Sequence, residues 1–174
     1  MSKIKKIVLS AMLLATLILL ARFFSIKTPV VVFSFAFIPL MFSAILLGPK
    51  WTIIISVLGD VIGSLLFPMG AFFIGFTISA AIRGFIYGIF LYKYGKRKIG
   101  DKEFLFRVVV SSVIVLLVVN LLLNSLWLNI TLGKAWLPLV STRLVRELIM
   151  VPIQVLAICG LELVLRDSVN KYLR

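Results

Sequence analysis

The sequence is dominated by long apolar stretches, each near the roughly 20 residues that a helix needs to cross a bilayer. Hydrophobic residues make up 62% of the 174 positions, whereas a soluble domain has about 45–50%. We predict an all-α membrane protein, a single domain spanning residues 1–174, with six transmembrane helices. These helices are expected at residues 4–21, 31–47, 51–67, 71–92, 104–128 and 139–165.

The first stretch, MSKIKKIVLSAMLLATLILLARFF, has the basic start and apolar run of a signal peptide. The bulky residues Arg22, Phe23 and Phe24 follow the run, where a cleavage site needs small residues. We therefore interpret this stretch as a retained transmembrane helix.

Basic residues outnumber acidic ones, 19 to 6. In a soluble protein this excess would indicate a nucleic-acid partner, but here the basic residues cluster in the connections between apolar stretches, as in cytoplasmic loops. With a cytoplasmic N-terminus, 13 basic residues face inward, five face outward and Arg83 lies within the fourth stretch. We therefore predict that both termini are cytoplasmic and that no nucleic acid binds. The five outward residues are Arg22, Lys27, Lys134, Arg143 and Arg146.

The sequence lacks the usual residues of enzyme and metal sites. It has one cysteine, Cys159, and no histidine, which excludes a disulfide framework and a Cys/His zinc site. It contains no phosphate-binding G-x-x-x-x-G-K-[ST] motif, and no predicted helix carries a carboxylate pair or a Ser/His dyad. We expect a binding protein without catalytic activity, metal or cofactor.

A charged side chain inside a membrane needs a partner or a functional role. Arg83 lies near the middle of the fourth predicted helix, in SAAIRGFIYG. Two interpretations stay open: an ion pair with Asp60 of the third helix, or contact with an anionic ligand.

The stretch NLLLNSLWLN places Asn120, Asn124 and Trp127 on one helical face. Amides offer donors and acceptors that suit the edge of a heteroaromatic ring, and the indole, with Phe35 and Phe76, can contact its face. The alternatives are interhelical hydrogen bonds for the amides and an interfacial aromatic belt for Trp127.

The last predicted helix opens with STRLVRELIM. Arg143 and Glu147 are four residues apart and are expected to pair on the surface, which leaves Arg146 for another role. Together with the other outward basic residues, these arginines form a rim suited to an anionic solute, since arginine binds carboxylates with two parallel hydrogen bonds. Interfacial snorkelling is the alternative.

Small residues form two stripes, Ala11 with Ala15 and Gly84 with Gly88. Such spacing allows helices to approach closely. The alanine stripe suits an external partner as well as internal packing.

Four stretches resemble the substrate-binding S components of energy-coupling factor (ECF) vitamin transporters, most closely the folate-specific branch. Within them, IGFTISAAIRG and NSLWLNITLGKAW point most directly to folate. The four are ARFFSIKTPVVVFSFAFIPLMFSAILLGP, SVLGDVIGSLLFP, FFIGFTISAAIRGFIYGIFLY and NSLWLNITLGKAWLPLVSTRLVRELIMVPIQ.

The resemblance implies an S-component-like bundle in the cell membrane, with a vitamin site near the outer face. It implies a transmembrane T component and two ATPase subunits as partners, with release inside by reorientation in the membrane. Contact with the T component would fall on Ala11 and Ala15. Two connections would act as gating loops, formed by Ser25, Lys27 and Pro29 and by Phe67, Pro68 and Met69.

For folate, the resemblance leads to a residue-level hypothesis. Asn120 and Asn124 would read the pterin edge, with the ring on Trp127 or Phe35, and Arg83 would contact either end. The anionic tail would meet the basic rim at Arg22, Lys134, Arg143 or Arg146. The nearest alternative is an S component for another anionic vitamin such as pantothenate, which needs the basic rim but no amide-lined aromatic slot.

Overall fold

A computed structural model describes residues 3–27, 32–68, 72–92, 102–133 and 136–173, and most of this length is helical. The fifth helix, α5, runs through three consecutive pieces, Lys102–Ile114, Val115–Leu123 and Asn124–Leu132. The other elements are α1 (Lys3–Arg22), β1 (Ser25–Lys27), β2 (Val32–Ser34), α2 (Phe37–Leu47), α3 (Pro49–Leu66), α4 (Ile74–Leu91) and α6 (Trp136–Leu173).

Within the described ranges, five helices are long and apolar enough to cross a membrane, namely α1, α3, α4, α5 and α6. The exception is α2, whose 11 residues extend only about 16 Å. The predicted start of this helix at residue 31 is wrong, because Val32–Ser34 forms a strand and the helix begins at Phe37. The predicted end of the last helix, at 165, is also too early, since α6 continues to Leu173.

The chain between α1 and α2 forms a short antiparallel hairpin where an irregular loop was expected. Ser25 lies opposite Ser34, and Ile26 lies opposite Phe33. The hairpin is tied to α1 by the Ser34 hydroxyl, which donates to the Leu20 carbonyl at 3.0 Å. The first predicted gating segment, which follows α1, therefore begins with a β-strand, Ser25–Lys27.

The predicted close approach at Gly84 and Gly88 is confirmed, and it joins α4 to α3. A Cβ atom at Gly84 would lie 2.9 Å from the carbonyl oxygen of Thr52, and one at Gly88 would lie 2.4 Å from Cα of Pro49. Because these neighbours are backbone atoms, they have little room to move. The two glycines thus hold α4 against the rest of the bundle.

Helix α1 packs on α3 through Leu17, whose side chain would lie 2.6 Å from a Cβ atom at Gly59. Ala11 and Ala15 are both exposed. Their stripe is therefore accessible on the outside of the molecule.

The middle piece of α5, Val115–Leu123, is a π-helix. It ends where the backbone N–H of Asn124 donates to the carbonyl of Val119, five residues earlier. Such segments are rare and occur frequently at functional sites. This one carries Asn120.

Candidate functional site

One face of α4 is turned towards α5 and α6. Residues spaced by four share a helical face, and four such residues make contacts there. Near the start of α4, the hydroxyl of Ser79 accepts a hydrogen bond from Nε1 of Trp127 at 3.0 Å. Near the other end, the Tyr87 hydroxyl donates to Oε1 of Gln154 at 3.4 Å. The four residues of this face are Gly75, Ser79, Arg83 and Tyr87.

Three helices meet at Asn120, which is 7% exposed. Its Oδ1 accepts hydrogen bonds from Nη2 of Arg83 at 3.4 Å and from Nδ2 of Asn124 at 3.3 Å. Its backbone carbonyl accepts from Nη1 of Arg143 at 3.1 Å. We call Arg83, Asn120, Asn124 and Arg143 the Asn120 cluster.

In this cluster, Nε of Arg83 and Oδ1 of Asn124 are both buried without a hydrogen bond to any described residue. Leaving a buried donor or acceptor unsatisfied costs roughly 1–3 kcal/mol, so native proteins have few such atoms. Two of them in one cluster are typical of a site that binds a polar ligand.

The structure rules out Asp60 as the partner of Arg83. Oδ2 of Asp60 accepts a hydrogen bond from the Thr77 hydroxyl at 2.8 Å, and Arg83 donates to Asn120. Among the described residues, no ion pair joins Arg83 to Asp60.

The expected surface pair between Arg143 and Glu147 is wrong, because Glu147 is only 1% exposed and forms an ion pair with Arg146. The Arg146 guanidinium also lies 5.8 Å from the ring centre of Phe33. The Glu147 carboxylate thus interacts with Arg146 and Arg143, and the guanidinium group of Arg83 lies near those same two arginines. This positive excess favours an anionic ligand, since unbalanced buried charge is costly.

Aromatic rings gather at the start of α4. The Phe73 ring lies 5.6 Å from that of Trp127 and 6.1 Å from that of Phe76. A Cβ atom at Gly75 would lie 2.4 Å from the Phe73 ring and 2.6 Å from the indole, so this position needs glycine. Trp127 is thus packed against α4. We call Phe73, Phe76 and Trp127 the aromatic cluster.

Arg22 lies at the contact between α1 and the end of α3. Its Nη1 donates to the Phe67 carbonyl at 3.1 Å, and a Cβ atom at Gly63 would lie 2.7 Å from its Nε. The rings of Phe23 and Phe67 are 5.1 Å apart. The end of α1, just before the first predicted gating segment, therefore contacts Phe67 of the second.

The remaining predicted residues are placed as follows. Phe35 is 50% exposed, with its ring 6.2 Å from that of Phe37. Ser25 donates to the Ala21 carbonyl at 2.9 Å, and Pro68 is exposed after α3. For Lys27 only the backbone, in β1, is described, and Pro29, Met69 and Lys134 lie outside the described residues.

Trp127 is held in place by Gly75, Ser79 and Phe73, of which sequence reasoning missed Gly75 and Ser79. The spacing of four from Gly75 through Ser79 to Arg83 was an available signal for both. The contact of Phe33 with Arg146 was not predicted, because it depends on the hairpin, which no local pattern indicated.

A family model described as "ECF transporter, substrate-specific component" matches residues 5–162. The chain belongs to this family of S components. This S component is accordingly a multi-pass membrane protein and the substrate-specific subunit of a transporter, not an enzyme.

Two curated relatives of this S component are named "Folate transporter FolT". The protein of Clostridium novyi (strain NT) is 39% identical over 160 residues, covering 92% of this chain and 89% of the relative. That of Leuconostoc mesenteroides subsp. mesenteroides is 38% identical over 156 residues, covering 87% and 80%. A crystal structure of FolT bound with folic acid matches with a TM-score of 0.80 at 34% identity, covering 90% of this chain and 92% of that one.

Proposed function

We propose that this S component is the high-affinity folate-binding subunit of an ECF-type importer in the cell membrane. It captures folate at the outer face and releases it inside. The observation that carries the proposal is the Asn120 cluster, a buried polar and cationic group next to an aromatic cluster. Relatives named as folate transporters cover most of the chain, which supports the choice of folate.

Folate combines the chemistry that these clusters complement. Its pterin ring is flat and suits stacking on Trp127 or Phe76. The ring edge carries hydrogen-bond donors and acceptors, which Arg83 and Asn124 can satisfy. Its two tail carboxylates suit the excess of arginine and the basic rim.

We further propose that transport depends on other subunits. The sequence lacks an ATP-binding motif, so the energy would come from two ATPase subunits acting through a T component. The exposed Ala11 and Ala15 stripe would form the contact with the T component, because small residues let another helix approach closely. The contact of Arg22 with Phe67 would close the site from outside.

Tryptophan fluorescence of the purified protein tests the choice of vitamin. Folate is expected to quench the emission saturably, because Trp127 belongs to the proposed site. Most of this quenching should be lost in Trp127→Phe and kept in Trp51→Phe, a partly buried tryptophan on α3. Saturable binding of pantothenate without folate would instead indicate an S component for another anionic vitamin.

A further inference from the structure

A groove of about 360 Å³ lies between α4 and α5, at the end of the bundle where α4 ends and α5 begins. Its lining combines three apolar side chains with an ion pair, and comprises Phe90, Glu103, Phe106, Arg107 and Val110. Glu103, Arg107 and Val110 are spaced by four and three residues, so they share one face of α5. The groove shares no residue with the Asn120 cluster or the aromatic cluster.

The face of α5 that lines the groove changes from charged to apolar along the helix. Counted from the start of α5 at Lys102, Glu103 lies about 1.5 Å along the axis, Arg107 about 8 Å and Val110 about 12 Å. This helix is long and apolar enough to span a membrane, so we expect Arg107 near the lipid headgroups and Val110 among the acyl chains. A phospholipid has the same order of charged and apolar parts.

The charges at the mouth of the groove favour an anionic headgroup. Lys102 is exposed, the Arg107 side chain is 36% exposed, and a guanidinium binds phosphate oxygens with two parallel hydrogen bonds. Oε1 of Glu103 lies 3.3 Å from Nη2 of Arg107, and the Glu103 side chain is 54% exposed. An ion pair as exposed as this contributes little stability, so a phosphate can share the Arg107 guanidinium.

The sequence adds positive charge to the same end of the bundle. The connection between α4 and α5 includes KYGKRKIGD at 93–101, with four basic residues and one acidic residue. These residues lie outside the described part of the chain and are not assigned to the groove. A basic cluster beside the cytoplasmic end of a transmembrane helix is typical of proteins that bind anionic lipids, and the charge distribution predicts that this end is cytoplasmic.

We propose that the groove between α4 and α5 binds one anionic phospholipid of the cytoplasmic leaflet. Arg107 binds the headgroup phosphate, and an acyl chain lies against Phe90, Phe106 and Val110. A zwitterionic phospholipid offers the same phosphate, but its headgroup also places a positive charge beside Arg107 and Lys102. The groove therefore selects a headgroup with a net negative charge. This site is separate from the proposed folate site, and neither proposal depends on the other.

Native mass spectrometry of the purified full chain in detergent tests the proposal, with phosphatidylglycerol and phosphatidylcholine of identical acyl chains as ligands. Wild type is expected to bind the first phosphatidylglycerol at least about fivefold more tightly than phosphatidylcholine, the effect of one basic residue on an anionic lipid. Arg107→Gln should lose this preference. The matched control is Lys50→Gln, which removes an exposed basic residue near the start of α3 and should keep it.

Two further variants leave Arg107 in place. Glu103→Gln removes the carboxylate that repels a phosphate and is expected to tighten phosphatidylglycerol binding by about two- to threefold. Val110→Trp fills the apolar part of the groove without changing a charge and should weaken phosphatidylglycerol binding by at least about fivefold. Its matched control is Val113→Trp, at an exposed position of the same helix, which should bind as wild type does. A thermal unfolding curve establishes that each variant is folded.

Equal binding of the two lipids by wild type would overturn the proposal. An equal loss of preference in Lys50→Gln and Arg107→Gln would also overturn it, because it would show a general attraction between a basic surface and anionic lipid. Val110→Trp binding as tightly as Val113→Trp would exclude the groove as the place of the acyl chain.

Discussion

Asn120 connects three helices through two oxygen atoms. Its side-chain oxygen is shared by Arg83 and Asn124, and its carbonyl is bound by Arg143. The spacing of Asn120, Asn124 and Trp127 predicted one shared face, and Asn120 and Trp127 do both contact α4. Spacing left open whether the amides bind a ligand or make interhelical hydrogen bonds, and in the structure Oδ1 of Asn120 is used within the protein.

At the scale of single residues, Gly75 gives a sensitive test of the aromatic cluster. In Gly75→Ala the new methyl group would meet the Phe73 and Trp127 rings at 2.4 and 2.6 Å, and the indole is also held by Ser79. We expect the rings to be displaced, the free energy of unfolding to fall by about 1–3 kcal/mol, the usual cost of overpacking, and folate binding to weaken.

The matched control is Gly160→Ala on α6, where a Cβ atom has nothing within 4 Å. Its affinity for folate in an equilibrium titration should equal that of wild type. Unchanged affinity in Gly75→Ala as well would show that the aromatic cluster is not part of the folate site.

At the scale of elements, the long apolar helices could be predicted from the sequence, whereas the short elements could not. The spacing of Gly84 and Gly88 indicated a close helix contact that the structure contains. The run VVF at residues 31–33, before α2, was assigned to a helix, because a short apolar run has no periodicity that separates strand from helix. The π-helix at Val115–Leu123 has no recognised local signal, and its carbonyl at Asn120 is bound by a side chain from α6.

The stripe on α1 yields a prediction for transport. Ala15 is exposed, so Ala15→Trp is expected to leave the fold and folate binding intact. The large side chain should prevent close approach of the T component, which would abolish ATP-dependent uptake of folate in vesicles containing all subunits.

The control is Phe106→Trp, which also places a tryptophan at an exposed position, on α5, and should transport normally. Normal uptake with Ala15→Trp would exclude this stripe as the contact surface.

At the scale of the whole molecule, the hydrophobic content and the lengths of the apolar stretches were sufficient to predict a helical membrane protein. Polar residues within those stretches indicated the candidate site. These residues, Arg83, Asn120 and Asn124, lie where α4, α5 and α6 meet. The choice of folate came from resemblance to a family and not from physical reasoning on the residues. Spacing identifies a face of a helix, but it does not determine which atoms on that face are left for a ligand.

Isothermal titration of the purified protein with folate tests the central proposal most directly. We predict saturable binding of one folate per chain in wild type and in Arg107→Met, whose arginine pairs with Glu103 on α5. Arg83→Met should weaken folate binding by at least about tenfold, because it removes the hydrogen-bond donors and the positive charge of the guanidinium group from the Asn120 cluster. Equal folate affinity in both variants, or no folate binding by wild type, would contradict the proposal.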